Sequence, residues 1–437
     1  VGDIVCKFGG TSLADAACIR RAAAIIQSDP RRRYIVPSAP GKRSPEDRKI
    51  TDLLYAWHSI ASQGLDPSEP RNLIKQRYSE LVRDLGVDVD IEALLAEIEA
   101  QEAEHPSPDF MASRGEYLNG RIIAALLGAN FVDPAHAIRF NEEGNLDEHS
   151  YEVLADQLSG PGLFVVPGFY GAMPDGSVKT FSRGGSDITG AIVARAAGAE
   201  VYENWSDVSG FLMADPRIVE NPREIREITY QELRELSYMG ATVLHDEAIF
   251  PVRHVGIPIN LRNTWHPDHP GTRIVPAREA TEPVVGIAGR AGFSMINIEK
   301  AFLNKERGFG IRVLRVLEDH GVPWEHMPTG IDTISIIVRD EDLGSHGKAI
   351  IEDIRTSCNP DSVSLTSGLA IIATVGQGMN HHVGVAARLC TAIAEAGVNL
   401  RVIDQGSSEM NIIIGVEEND LHAAVRALYA AFVEWQA

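Results

Sequence analysis

Two segments carry the residues best suited to chemistry: VCKFGGTSLADA at 5–16 and KTFSRGGSDITGAIVARAAGA at 179–199. Each sets a Gly-Gly pair after an extended run and directly before a helix-forming stretch. Glycines let a backbone approach a ligand closely, and a helix N-terminus offers free N–H groups to an anion. Each segment also brings charge, Lys7 in the first and Arg183 with Asp187 in the second. One Gly-Gly turn means little, because such turns are common. Two in one domain imply a site that holds two anionic groups together. Lys7 ends an apolar run, where a buried ammonium is costly without an anionic partner. Alone it reads equally well as a strand-end lysine facing solvent; the second motif favours the phosphate role. No GxxxxGK[ST] loop occurs, which excludes a Walker-type phosphate site.

These loops need a scaffold. Residues 1–60 alternate strand-like and helix-like runs (DIVCKF, ADAACIRRAAAIIQ, YIVPSAP, KITDLLYAWHSIAS), and residues 70–130 show the three- and four-residue apolar spacing of helices. Buried strand candidates follow at ANFVDP (129–134), GLFVVPGFYG (162–171) and AEVYENWS (199–206). Short apolar strands separated by helices predict an α/β fold, a mainly parallel sheet sandwiched by helices. Ligands bind such sheets at the carboxyl ends of strands, and both Gly-Gly loops are expected there.

Composition shifts at 263–283, where NTWHPDHPGT and VPAREATEP mark a domain boundary. Beyond it a β-α-β-β-α-β pattern occurs twice, and both copies share a helix-Gly-Val turn (His320-Gly321-Val322, Ala396-Gly397-Val398). The second copy ends without a final strand, while PVVGIAGRA (283–291) is a strand without a place. An open edge position exposes unpaired backbone groups. Residues 284–290 are therefore expected to complete the second copy, together with 368–437. The first copy, 292–367, is then an insertion, and 1–280 form the catalytic domain.

A formal charge of −21 argues against nucleic acid as a partner, which wants a basic face. It leaves a nucleotide substrate open, since that needs only local cations; its simplest reading is a solubilising surface. Four scattered cysteines (Cys6, Cys18, Cys358, Cys390) without CxxC spacing suit a reducing compartment. His381 and His382 are adjacent, and a solvated turn explains them better than a metal pair. No transmembrane-length apolar run or signal pattern occurs, so no membrane partner and a cytoplasmic location are expected.

KFGGTS together with SRGGSD resembles the aspartokinases of the amino acid kinase family. The resemblance continues through WSDVSGFLMADPRIV (205–219) and GATVLH (240–245), and the duplicated C-terminal units resemble paired ferredoxin-like ACT domains. It implies transfer of the ATP γ-phosphate to the β-carboxylate of aspartate, the first step toward lysine, threonine and methionine. A carboxyl with pKa near 3.9 is already ionised at neutral pH, so no general base is needed. The difficulty is bringing two anions together, which positioning and charge neutralisation solve.

By the same resemblance, Lys7 contacts the phosphates, and Gly9, Gly10 and Ser12 line their cradle. Arg183 grips the substrate α-carboxylate, with Gly184 and Ser186 beside it. Asp187 alone reads as a helix N-cap; the resemblance makes it the residue that orients Lys7 and the phosphoryl group. Glu116 in SRGEYLNG alone reads as a first-turn helix glutamate; the resemblance places it at the substrate amino group. Ser38 in PSAPGK and Thr51 in KITDLL match the substrate loop. Ser206, Asp207, Leu212, Arg217 and Thr242 fall on the nucleotide side. Leu212 stands where an aromatic residue is frequent, and Thr242 where many relatives have lysine. Mg²⁺ is expected to be held mostly by ATP and water.

ACT pairs imply a homodimer or higher homo-oligomer with an amino acid bound at the pairing surface. Gly308 and Phe309 offer helix-start N–H groups to its carboxylate, and Glu325, on the next strand, faces its ammonium. Lysine is the first expectation for that effector, threonine the second. Two other readings stand beside this one: a kinase for a related acidic amino acid, and a catalytically silent amino-acid sensor.

Overall fold

The computed structural model describes residues 2–182, 184–240, 244 and 246–435. They form two compact units, one of residues 1–211, 226–230 and 243–278, the other of 212–225, 231–242 and 279–437.

The first unit is built on an eight-stranded sheet. Its order is Glu227–Thr229, Thr272–Val275, Ile259–Asn263, Val201–Ser206, Ile4–Phe8, Arg32–Pro37, Phe164–Val165, Asn130–Phe131. From Ile259–Asn263 to Asn130–Phe131 all neighbours run parallel, and only Thr272–Val275 opposes Ile259–Asn263. IVCKF, near the middle, is buried along its whole length, as a strand covered on both faces must be.

Alternation splits that strand chemically. Cys6 and Phe8 share a face with Glu203 and Trp205, while Lys7 pairs in register with Asn204 on the other. On the first face Phe8 stacks on Trp205 at 6.0 Å. Glu203 accepts there from the Trp205 indole (3.0 Å) and the Arg32 guanidinium (2.8 Å). Cys6 is sealed in that cluster, and burial pushes its thiol well above the ordinary range. Helix Ala16–Gln27 contributes to the apolar core on this side. Helix Gly185–Ala196 covers the opposite face, where the Tyr202 hydroxyl donates to the Asp187 carbonyl at 3.1 Å.

One expectation is corrected. The run before the second Gly-Gly pair, Val178–Thr180, is not a strand of the main sheet but pairs with Tyr170–Ala172 in a separate hairpin. The Asp175-Gly176-Ser177 turn folds it back: Met173 N–H donates to Ser177 O, with Gly176 in the left-handed region.

In the second unit a five-stranded antiparallel sheet runs Thr333–Arg339, Gly286–Glu299, Ser362–Val375, Asn411–Glu417, Val402–Asp404. Phe293–Glu299 pair with Thr333–Arg339, and Gly286–Ala291 with Ala370–Val375. Two long strands thus run through both copies of the sequence pattern, with register shifts between Ala291 and Met295. Helices Phe309–Asp319 and Gly347–Cys358 supply one apolar core, Val385–Glu395 and Leu421–Phe432 another. The shared turns match atom for atom: Val322 N–H reaches Leu317 O at 3.0 Å, and Val398 N–H reaches Ile393 O at 3.1 Å. Among the described residues no helix is long and apolar enough to cross a membrane.

Candidate active site

Lys7 is 8% exposed, and its Nζ lies 2.5 Å from Asp187 Oδ1. Asn204 donates to the same oxygen at 2.8 Å. Pairing offsets the cost of burying an ammonium and fixes Nζ beside the first loop, 3.7 Å from where a Cβ on Gly9 would stand. Asp187 is not a cap. Gly184 caps helix Gly185–Ala196 at φ +74°, a conformation that glycine adopts without strain. Asp187, in the first turn, turns its carboxylate to Lys7 instead.

The first loop is held tightly. Gly9 N–H donates to Trp205 O at 3.0 Å, and Ser12 N–H to Gly9 O at 3.0 Å, winding Gly10–Leu13 into a 3₁₀ turn. Ser12 is fully buried, its hydroxyl 2.7 Å from that of Thr264, so it supports the cradle from beneath. Gly41 N–H donates to Gly10 O at 2.8 Å. A Cβ on Gly41 would stand 2.6 Å from the Gly10 carbonyl, so no larger residue fits there.

Ser38 follows strand Arg32–Pro37, and its N–H donates to Phe8 O at 3.0 Å, setting it against the lysine strand. Its carbonyl accepts from Asn119 Nδ2 at 2.7 Å. Glu116 lies well inside helix Pro108–Leu127 rather than in a first turn, and it is 6% exposed. Burial pushes its carboxyl up to about 7, against the opposing pull of the Ala39 N–H, Arg114 and Lys7. Thr51 is in the first turn of helix Ile50–Ser62, half-buried, and its neighbour Ile50 sits 3.2 Å from a Cβ built on Gly115. Ser186 is buried against Gly168, whose N–H donates to Pro37 O at 3.0 Å. Phe169, next along, is held at φ +86° between the Thr189 hydroxyl and the Phe181 N–H. Strain of this kind is sustained where surrounding contacts over-determine the backbone.

Lys7, Gly9, Gly10, Ser38, Glu116, Ser186 and Asp187 are thus linked through the carboxyl ends of two adjacent parallel strands. Ser206 and Asp207 end the next strand over; the Ser206 hydroxyl accepts from Val208 N–H at 3.4 Å, and Asp207 is exposed. Leu212 and Arg217 belong to the second unit, where exposed Arg217 is paired with Asp215 at 2.6 Å. Arg183 and Thr242 lie outside the described residues. Sequence reasoning missed Asn204, Asn119 and Phe169. Asn204 had a usable signal: in VYENWS it is a polar residue two after Tyr202 in a strand buried on both faces. Phe169 carried none.

Of the expected effector residues, Gly308 caps helix Phe309–Asp319 at φ +77°, and Phe309 opens it with its ring buried. Glu325 is corrected. It lies in no continuous strand: its N–H donates to Ile337 O at 2.8 Å, but the segment makes only isolated bridges, His326 to Ile337 and Thr329 to Ile334, with Pro328, which has no N–H to give, between them. Nor is its carboxylate open. Arg339 Nε lies 2.6 Å from Oε1, an ion pair without hydrogen-bond alignment, and the Tyr238 hydroxyl donates to Oε2.

Residues 4–263 match the model of the amino acid kinase family, and residues 372–432 that of the ACT domain. Aspartokinase 3 of Bacillus subtilis is 41% identical over 98% of both chains. The crystal structure of Clostridium acetobutylicum aspartate kinase, described as an allosteric enzyme, is 49% identical with a TM-score of 0.93 over 99% of this chain and all of that one. Escherichia coli aspartokinase III is 26% identical with a TM-score of 0.74 over 99% of this chain and all of that one, in complex with aspartate and ADP and in complex with lysine and aspartate. With both Gly-Gly loops meeting at one lysine–aspartate pair and relatives aligned from end to end, this chain belongs to the aspartokinases of the amino acid kinase family.

Proposed function

We infer that this chain is an aspartate kinase, forming 4-phospho-L-aspartate from ATP and L-aspartate. The observation that carries this is the Lys7–Asp187–Asn204 contact, which joins the two Gly-Gly loops. Lys7 neutralises charge on the transferred phosphoryl oxygens, and Asp187 and Asn204 keep its ammonium aimed. Gly9 and Gly10 let the phosphates approach the backbone, with Ser12 bracing the turn. Ser38, Thr51, Gly184 and Ser186 shape the aspartate pocket; Arg183 pairs with its α-carboxylate and Glu116 with its ammonium. On the nucleotide side we place Ser206, Asp207, Leu212, Arg217 and Thr242. Lys7 and Asn204 both contact Asp187 Oδ1, which leaves Oδ2 for a water of a nucleotide-borne Mg²⁺. That ion would add to the charge neutralisation.

Residues 1–280 we assign to catalysis. Residues 284–290 with 368–437, and the inserted 292–367, form two regulatory ACT units in a cytoplasmic homo-oligomer. The E. coli relative in complex with lysine supports lysine as the effector, with threonine second. ADP release measured over a panel of amino acids, with hydroxylamine trapping of the acyl phosphate, tests the reaction. Aspartate alone should give both signals; a preference for glutamate or acetylglutamate, or no turnover, overturns the assignment.

A further inference from the structure

Glu116 and Asn119 are three residues apart on helix Pro108–Leu127, so they share a face. Both face the same short segment: the Ala39 N–H pulls against the upward shift of the Glu116 carboxyl, and in a second, direct contact Asn119 Nδ2 donates to Ser38 O at 2.7 Å. That second bond fixes the Asn119 amide, since a flip would set its oxygen against the Ser38 carbonyl. Among the described residues, neither Glu116 Oε2 nor Asn119 Oδ1, both buried, has a hydrogen-bond partner. Asn119 is fully buried. An unpaired buried acceptor is destabilising unless a ligand supplies the donor.

We propose that Asn119 is a specificity-determining residue, its Oδ1 accepting a second hydrogen bond from the substrate α-ammonium that Glu116 binds by charge. This rests on the reading of Glu116 as the ammonium's partner. An ammonium carries three N–H donors, enough for both orphaned oxygens. An N-acylated amino acid carries one N–H and no charge, so it leaves one acceptor unpaired in a buried site. Asn119 thereby restricts the substrate to free α-amino acids.

Asn119→Leu removes the acceptor at similar volume, and succinate, which lacks the ammonium, separates recognition from loop positioning. Loss of one hydrogen bond to a charged group should lower kcat/KM for aspartate about tenfold or more. The KM for ATP and the inhibition constant of succinate against aspartate should stay within about twofold. Equal losses for aspartate and succinate would make Asn119 only an anchor for Ser38 and overturn the proposal, as would unchanged aspartate kinetics. Should Asn119→Leu not fold, Asn119→Ser, shorter and polar, is measured in the same way. Glu116→Gln separates the two claims. A raised aspartate KM in that variant beside a silent Asn119→Leu sinks this inference alone, whereas an unaffected Glu116→Gln removes the ammonium reading beneath it.

Discussion

At the scale of single residues, the site turns on a buried cation held by one carboxylate. Lys7→Ala removes the charge proposed to meet the phosphoryl group, and Asp187→Ala leaves Lys7 buried without its partner. Each should lower kcat by roughly 10² or more, the scale for one preorganised transition-state contact. Steady-state rates check this, and near-normal turnover in either variant removes the assigned roles. Glu116 gives a pH signature. With its carboxyl pushed up to about 7 by burial, it is protonated below that pH in the free enzyme and cannot pair with an ammonium. The KM for aspartate should therefore fall as pH rises toward 7 and then level off, while Glu116→Gln shows a flat, high KM. Stability runs the other way. The native state holds this proton where the unfolded chain has released it, so stability falls as pH rises from about 4.5 to about 7. Melting curves of Glu116→Gln should lack that component. Lys7 and Asp187 were legible because a charge beside Gly-Gly is a local pattern. Asn119 was not, because what marks it is a partner distant in sequence, the Ser38 carbonyl; Asn204 was marked by its polar type in a strand buried on both faces, but its partner Asp187 was not.

Among the elements, apolar runs predicted the parallel sheet well, since strands such as IVCKF are buried on both faces and leave an unbroken signal. Pairing partners were less legible. Val178–Thr180 reads as extended whether it joins the main sheet or a hairpin, and the turn at Gly176 decides it. Likewise Gly292 and Gly368 punctuate the sequence like turns, yet Gly286–Glu299 and Ser362–Val375 pass through them as continuous strands. Pairing with a partner strand on both sides of the irregularity keeps each one whole. How loops meet is not visible in sequence at all. The bond from Gly41 to Gly10 O joins the loop after strand Arg32–Pro37 to the first Gly-Gly loop at backbone distance. Gly41→Ala forces a Cβ against atoms that cannot rotate away, so the loops must separate. A loss of about 1–3 kcal/mol in denaturant unfolding is expected, with the KM values for ATP and aspartate rising together. A stable variant whose KM rises for one substrate only would show that the contact does not couple the two loops.

For the whole molecule, regulation must pass through contacts that already exist in the second unit. Helix Tyr230–Tyr238 places Glu232, Glu235 and Tyr238 at three-residue intervals, on one face. Glu232 accepts from Gln377 N–H at 2.9 Å, Glu235 from Asn411 Nδ2 at 2.6 Å, and the Tyr238 hydroxyl donates to Glu325. The same helix leads into GATVLH, the segment read as part of the nucleotide side. An effector ammonium that reaches Glu325 must therefore compete with Arg339, whose ion pair lacks hydrogen-bond alignment, and with Tyr238. A difference of only about 1–3 kcal/mol in effector affinity between active and inactive states gives substantial inhibition. Lysine should inhibit the wild type, and Glu325→Ala should raise the lysine concentration for half-inhibition at least tenfold, each rate normalised to its own uninhibited value. Arg339→Met, which removes the competing cation, should shift it the other way. Lysine and threonine are titrated separately and together, with calorimetry for binding and light scattering for an assembly of at least two chains. Neither inhibition nor heat of binding from lysine would sink the regulatory reading. Lysine inhibition that is indifferent to both substitutions would place the effector elsewhere than Glu325.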